Sequence, residues 1–410
     1  MALVHRATTL RGWRRMALEA RRGGALRRCV GERFSRMAVI VTGATGRIGH
    51  AMVQRLLAEG AAVRVLSRRP LLAQDLFGGS VEIHEWHPFS ENVPAAALDG
   101  VRGVLHLMGA PFADGPIRGR DALATSSRLV ATRRMIDALA GCGVRLLVVS
   151  PAIVPREVPA GAVAAHAFDG MDDLGQGGAP LPWEEVALAA HSDSLSVAVV
   201  RLGLLTQPSE ALVALVALAR MGLVPKLDGA QIGAITPGDA TAMLSGLLAR
   251  SDLTGLFHGV APIPIPGQVI REALEQLRPA FIPGGITLPS MVTTRLLARY
   301  LGLLATILTA SQVPEPRRLL AAGAVFETPD PTDALLAALQ TVAELDVQPT
   351  SGRLRERVKA VVGPVVAKAL RRGQVSTAEA TPQATGSPAT DEQPPPPTAQ
   401  RPRDRADGGM

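Results

Sequence analysis

Three glycines, Gly43, Gly46 and Gly49, stand three residues apart within AVIVTGATGRIG, residues 38 to 49. That spacing suits the binding of a dinucleotide pyrophosphate. The first glycine makes a tight turn, the second lets the main chain approach the phosphates, and the third lets a helix pack close to a strand. The helix that follows offers unpaired N–H groups and the positive end of its dipole to the anion. Gly43, Thr45, Gly46, Arg47, Ile48 and Gly49 are therefore the candidate phosphate cradle. About twenty residues on, VRVLSRRP places Ser67, Arg68 and Arg69 where an acid would take an adenosine 2′-hydroxyl. A 2′-phosphate needs cations there instead, and guanidinium is well matched to phosphate. The pattern predicts NADP(H) in preference to NAD(H).

The flanks must supply a strand, a turn and a helix. Residues 38 to 42 are a β-branched apolar run; Met52, Leu56 and Leu57 give a helical apolar face; Gly60 stops the helix; and Ala62 to Leu66 form a second strand. Further strands are predicted at 80–86, 101–107, 144–150 and 195–202, with helices at 125–140 and 183–190. Strands alternating with helices predict an α/β fold with a doubly wound parallel sheet, an NAD(P)-binding Rossmann fold. Its ligand crevice lies at the carboxyl ends of the strands. From about 206 the pattern turns more helical and proline-punctuated, which predicts a smaller, mostly helical substrate lobe over 206–345 after a Rossmann domain over 37–205. A basic amphipathic segment follows at 346–373, then a Pro-rich tail at 374–410 that cannot bury a core.

The formal net charge of +7 is misleading. Residues 1 to 36 hold ten arginines against two glutamates, so the remainder is close to neutral and nucleic-acid binding is not expected. This leader is a presequence, an unstructured arm or a mis-called start. The position of Met37, directly before the first strand, favours the latter two. The longest apolar stretch, 286 to 310, contains Arg295 and Arg299, so no transmembrane segment is predicted. Cys29 and Cys142 have unrelated spacing, which points to a reducing, cytoplasmic compartment and no zinc site. His84 and His87 in HEWH lack a third ligand nearby, and no metal is expected.

Several segments in order resemble one family, the atypical short-chain dehydrogenase/reductases of the NAD-dependent epimerase/dehydratase (nucleotide-sugar epimerase-like) type, which carry a C-terminal domain of unknown function. The segments are VTGATGRIGHAMVQRLLAEGAAVRVLSRRP, GVLHLMGAP, SSRLVATRRMIDAL, PWEEVALAA with VVRLGLL, and, further on, LPSMVTTRLLARYLG and ASQVPEPRRLLAAGAVFETPDPTDALLAAL. The resemblance implies that Ser67 and Arg68 contact the adenosine phosphate. It also implies that Leu107, Met108 and Gly109 line the cofactor and that Arg128 lies near it. The expected substrate is a small molecule such as a nucleotide sugar or carbonyl compound. Oligomeric state is left open.

The chemical half departs from the family. Relatives use a Ser or Thr after the fifth strand and a Tyr-x-x-x-Lys pair for proton transfer. Here the only tyrosine is Tyr300, the lysines are Lys226, Lys359 and Lys368, and no such pair exists. Ser150 is a candidate to polarise a substrate carbonyl, with a strand-end hydroxyl satisfying a loop N–H as the plain alternative. His258 is a weaker acid–base candidate, and His106 reads as a core histidine. Trp183 and Glu184 either contact substrate or simply pack and cap a helix. Two functions stay open: an NADP(H)-dependent oxidoreductase or epimerase-like enzyme, and a non-catalytic NADP(H) sensor or scaffold.

Overall fold

The structure is a computed structural model that describes residues 37–109, 120–151, 180–220, 224–225, 227, 229–277 and 313–344. The arginine-rich leader, most of the Gly/Pro/Asp-rich loop at 155–181, Lys226, the apolar stretch with Tyr300, and the segments from 346 onward lie outside the described residues.

Strand β1 (Ala38–Thr42) leads through the glycine turn into α1 (Arg47–Ala58), and β2 (Ala62–Ser67) follows. Residues Gly49, Met52, Val53 and Leu56 are the buried face of α1, the spacing a helix needs to lie on a sheet. Gly60, at φ +82°, lets the chain leave the helix toward β2. Next come α2 (Pro70–Phe77), β3 (Glu82–Glu85), β4 (Val101–His106), α3 (Arg120–Leu139), β5 (Val144–Pro151), α4 (Pro182–Ala189) and β6 (Leu195–Leu202). Strand β1 is buried along its whole length because helices cover both faces of the sheet, so its sequence is continuously apolar instead of alternating.

With β7 (Gly255–Gly259) at one edge, the sheet has seven strands in the order β7-β6-β5-β4-β1-β2-β3, all parallel. The strand order reverses at β1, so the crevice opens between the ends of β1 and β4. Strand β7 (Gly255–Gly259) and α6 (Pro237–Leu248) come from the stretch that the sequence assigned to the substrate lobe, yet β7 completes the sheet beside β6. Helix α6 packs in the same core as α1, through Met243, Leu244, Leu247 and Leu248. The sequence reading missed both because a five-residue strand with glycine at each end and a histidine within it, and a helix interrupted by Gly238 and Gly246, carry little periodic signal. Before α6 in sequence lies α5 (Glu210–Arg220), and two short strand pairs flank this region, Leu204–Leu205 with Ala234–Ile235 and Gln231–Ile232 with Ile265–Pro266. Helices α7 (Gly267–Gln276), α8 (Arg317–Ala321) and α9 (Thr332–Glu344) complete the described chain.

The core has two layers. One face of the sheet packs α1, α2, α6 and α8. The other packs α3 and α4, with Met135, Leu139 and Trp183 at its centre.

Candidate functional site

The glycine turn has the geometry that its spacing demands. Gly43 sits at φ +68°, and a Cβ there would lie 3.0 Å from the Leu107 carbonyl carbon, so the turn is pressed against the end of β4. The Gly46 N–H donates to the Gly43 carbonyl at 3.0 Å and closes the turn. A Cβ on Gly49 would run into the Gly43 carbonyl oxygen and come within 2.8 Å of Ala44 Cα, so only glycine lets α1 sit on the turn. Gly46 differs: apart from the Gly43 oxygen at 3.2 Å, nothing lies near where its side chain would be. Gly46 and Arg47 are exposed. The first turn of α1 has no side-chain cap and no acidic residue, which leaves its N–H groups for an external anion. A bare backbone beside an uncapped helix start fits a pyrophosphate.

Parallel pairing sets Leu66 beside Thr42, and so carries Ser67 next to the turn. Ser67 is buried and its hydroxyl accepts the Arg69 N–H at 3.1 Å, which braces the loop. The side chains of Arg68 and Arg69 are exposed, and no ion pair holds either of them among the described residues. No carboxylate stands in the run Ser67-Arg68-Arg69.

On the other side of the turn, the buried Thr42 hydroxyl accepts the N–H groups of Leu107 and Met108 at 3.1 and 3.2 Å. It also lies 3.0 Å from His106 Nδ1. This network ties β1 to the chain leaving β4. Gly109 lies under Arg128 from α3; a Cβ there would meet the guanidinium carbon at 2.5 Å. Arg128 donates to the Ala124 carbonyl at 3.1 Å and lies over the Trp183 ring, 5.6 Å from its centroid. Burial lowers its pKa to about 10, which still leaves it charged at neutral pH. The sequence segments 107–109 and 128 are thus in contact, although α3 begins more than ten residues after β4.

Register also aligns Ser150, Arg201 and His258 across β5, β6 and β7. They share the face covered by α4. Two strand steps of about 4.8 Å separate Ser150 from His258, too far for a direct bond. The Ser150 hydroxyl accepts the Trp183 indole N–H at 3.2 Å. Between the two candidates, Arg201 and Glu184 form a fully buried ion pair, with Nη2 to Oε2 at 2.7 Å. Glu184 also accepts the Leu181 N–H at 2.9 Å, capping α4. Trp183 and Glu184 therefore hold the sheet and helix together, as the packing alternative for them supposed. Desolvation, with the charges of Arg201 and Arg318, holds the pKa of His258 down to about 4, so it is a neutral imidazole at physiological pH. Asp239, at the start of α6, is another anchor: its carboxylate accepts the Glu327 N–H at 2.7 Å, the Thr328 N–H at 3.0 Å and the Thr236 hydroxyl at 3.0 Å. His84 and His87 each pair with a glutamate on or beside β3, Glu82 and Glu85.

Sequence reasoning did not find the Arg201–Glu184 pair or the Thr42–His106 contact. The partners are ordinary residues 17 and 64 positions apart; helix packing on the sheet brings the first pair together and strand register the second.

A family model described as NAD(P)H-binding matches residues 43–214. An Arabidopsis thaliana protein named epimerase family protein SDR39U1 homolog, chloroplastic, is 27% identical over 336 residues, covering 76% of this chain and 89% of that protein. The human epimerase family protein SDR39U1, solved with NADPH, is 26% identical with a TM-score of 0.52, covering 75% of this chain and 99% of that one. These likenesses support an atypical short-chain dehydrogenase/reductase of the NAD-dependent epimerase-like type. The family resemblance read from the glycine turn and the later segments is thereby borne out, as is the Rossmann sheet. A nucleoside-diphosphate sugar epimerase from Corynebacterium glutamicum shares the fold, at 17% identity and a TM-score of 0.53 over 87% of this chain and 71% of that one. The domain is an NAD(P)-binding one. Among the described residues no helix is long and apolar enough to cross a membrane.

Proposed function

We propose that this epimerase-family protein binds NADP(H) in preference to NAD(H) and is an oxidoreductase or epimerase-like enzyme acting on a small carbonyl compound or nucleotide sugar. The observation that carries the reading is the pair of exposed guanidiniums, Arg68 and Arg69, beside a glycine turn that lacks an acid at the end of β2. The NADPH bound to the human relative supports it. When bound, the cofactor supplies hydride transfer at nicotinamide C4. The chain supplies the rest. The first turn of α1 and Gly46 hold the pyrophosphate, Ser67, Arg68 and Arg69 hold the adenosine phosphate, and Leu107, Met108 and Gly109 form an apolar wall that excludes water. Arg128 sits behind that wall. Trp183 occupies one lone pair of the Ser150 hydroxyl and leaves its proton to be donated, so Ser150 polarises a substrate carbonyl. His258, held neutral, accepts a proton or hydrogen bond in the same row and does not act as a stored acid. A cytoplasmic location belongs to this reading, on the two cysteines at unrelated spacing, although the name of the Arabidopsis relative places that protein in the chloroplast.

The absence of a Tyr-x-x-x-Lys pair favours one second reading, a non-catalytic NADP(H) sensor. Purified protein with NADPH and a panel of nucleotide sugars, aldehydes and ketones separates the two, followed by absorbance and product mass. Turnover that Ser150→Ala abolishes supports the enzyme. Tight NADPH binding with no turnover on any class supports the sensor. Tighter binding of NADH than NADPH, unaltered by Arg68→Ala, defeats the cofactor preference.

A further inference from the structure

His106 ends β4 and is 2% exposed, yet its distal nitrogen, Nε2, has no hydrogen-bond partner among the described residues. Its protonation can be deduced from its neighbour. A hydroxyl has one proton and two lone pairs. The Thr42 oxygen accepts two N–H groups, from Leu107 and Met108, which occupies both lone pairs. Its proton can then go only to His106 Nδ1, 3.0 Å away. Nδ1 is therefore an acceptor, and the ring proton is on Nε2. Protonating Nδ1 as well would aim an N–H at an oxygen with no lone pair left. Burial and the charge of Arg128 act in the same sense, holding the pKa down to about 4. The chain thus holds a neutral imidazole with a fixed tautomer and a buried Nε2–H that has no acceptor. A buried donor of that kind costs about 1–3 kcal/mol when left unmet, so binding of an acceptor beside it is favoured.

Its place says which ligand. The sheet order sets β2 on one side of β1 and β4 on the other. The adenosine side of the cleft is at β2, where Ser67 and Arg68 are. The opposite half of a dinucleotide that crosses the glycine turn must reach β4, and His106 immediately precedes Leu107, Met108 and Gly109. Resting on the NADP(H) reading above, we propose that His106 Nε2–H donates a hydrogen bond to an oxygen of the nicotinamide half of the bound dinucleotide, with Thr42 as the residue that sets its tautomer.

Two variants separate the nitrogens. His106→Asn keeps an acceptor near the position of Nδ1 for Thr42 and lacks the distal donor. His106→Gln reaches the distal position with an N–H. Calorimetric titration with NADPH is expected to show about tenfold weaker binding for His106→Asn and binding within about threefold of wild type for His106→Gln. Binding of 2′,5′-ADP, which carries only the adenosine half, is expected to be unchanged in both. In ¹⁵N-labelled wild type, the imidazole nitrogen shifts should report the Nε2–H tautomer, and the Nε2 signal should move at saturating NADPH. Equal NADPH affinity in His106→Asn and wild type overturns the assignment. So does equal weakening of NADPH and 2′,5′-ADP, an Nδ1–H tautomer, or an Nε2 signal unmoved by NADPH. A wild type that binds no NADPH overturns the cofactor reading itself, and this one with it; wild-type binding that His106→Asn leaves unaltered overturns this one alone.

Discussion

The two ends of the crevice are built on opposite principles. Around Gly43, Gly46 and Gly49 the site is made by removing side chains: the backbone turns sharply, α1 closes onto it, and bare N–H groups face outward. Across β5, β6 and β7 the space is filled with side chains that satisfy one another. Trp183 donates to Ser150, and Glu184 is spent on Arg201 and on the Leu181 N–H. A pocket built from backbone tolerates wide sequence change elsewhere and keeps binding. A pocket built from interlocked side chains keeps its shape while its chemistry depends on which few groups retain a free proton or lone pair. On the reading proposed above, Ser150 and His258 are those groups. The binding end is thus strongly marked in sequence, while the chemical end is marked mainly by what the family pattern lacks.

This contrast can be tested by damaging each end. The largest effect is expected from Glu184→Ala, which breaks the fully buried ion pair with Arg201; chemical denaturation should show a loss of about 3–5 kcal/mol. If the loss is below about 1 kcal/mol, the chemical end is not interlocked as described.

Acid comes next. His106 and His258 are held near pKa 4 in the folded protein, below the value of about 6.5 of an unfolded histidine. The unfolded chain therefore binds protons first, and stability should be full above pH 6.5 and fall as pH drops toward 4. Replacing both histidines with glutamine should flatten that part of the curve, as read by urea unfolding at a series of pH values.

At the binding end, Gly49→Ala forces α1 off the turn and should cost about 1–3 kcal/mol, with NADPH binding at least tenfold weaker in the same preparation. Arg68→Ala is the gentlest change. It should leave folding untouched and weaken NADPH by roughly tenfold, the scale of a charge-assisted hydrogen bond, with NADH unaffected. Equal losses for the two cofactors would place Arg68 outside the 2′-phosphate site.

Local signals were readable and non-local ones were not. Strands 195–202 and 144–150 and the helix of PWEEVALA lie where periodicity and caps place them, within a residue or two. Strand β7 did not announce itself, since GLFHG is short and contains both a glycine and a histidine. Its strand character comes from lying beside β6. His106 was read as a satisfied core histidine. It is in the core, but only its proximal nitrogen is satisfied.

What the sequence determined by itself was the glycine turn, its flanking strand and helix, and the arginines at the end of β2. Each follows from residue type within a few positions, because backbone freedom at glycine and charge at arginine need no distant partner. Tertiary structure decided the rest: which tautomer His106 holds, that Glu184 belongs to Arg201, and that Ser150, Arg201 and His258 form one row. Those facts depend on strand register and on where the helices dock, and both are set by the packing of the whole sheet between its two layers of helices.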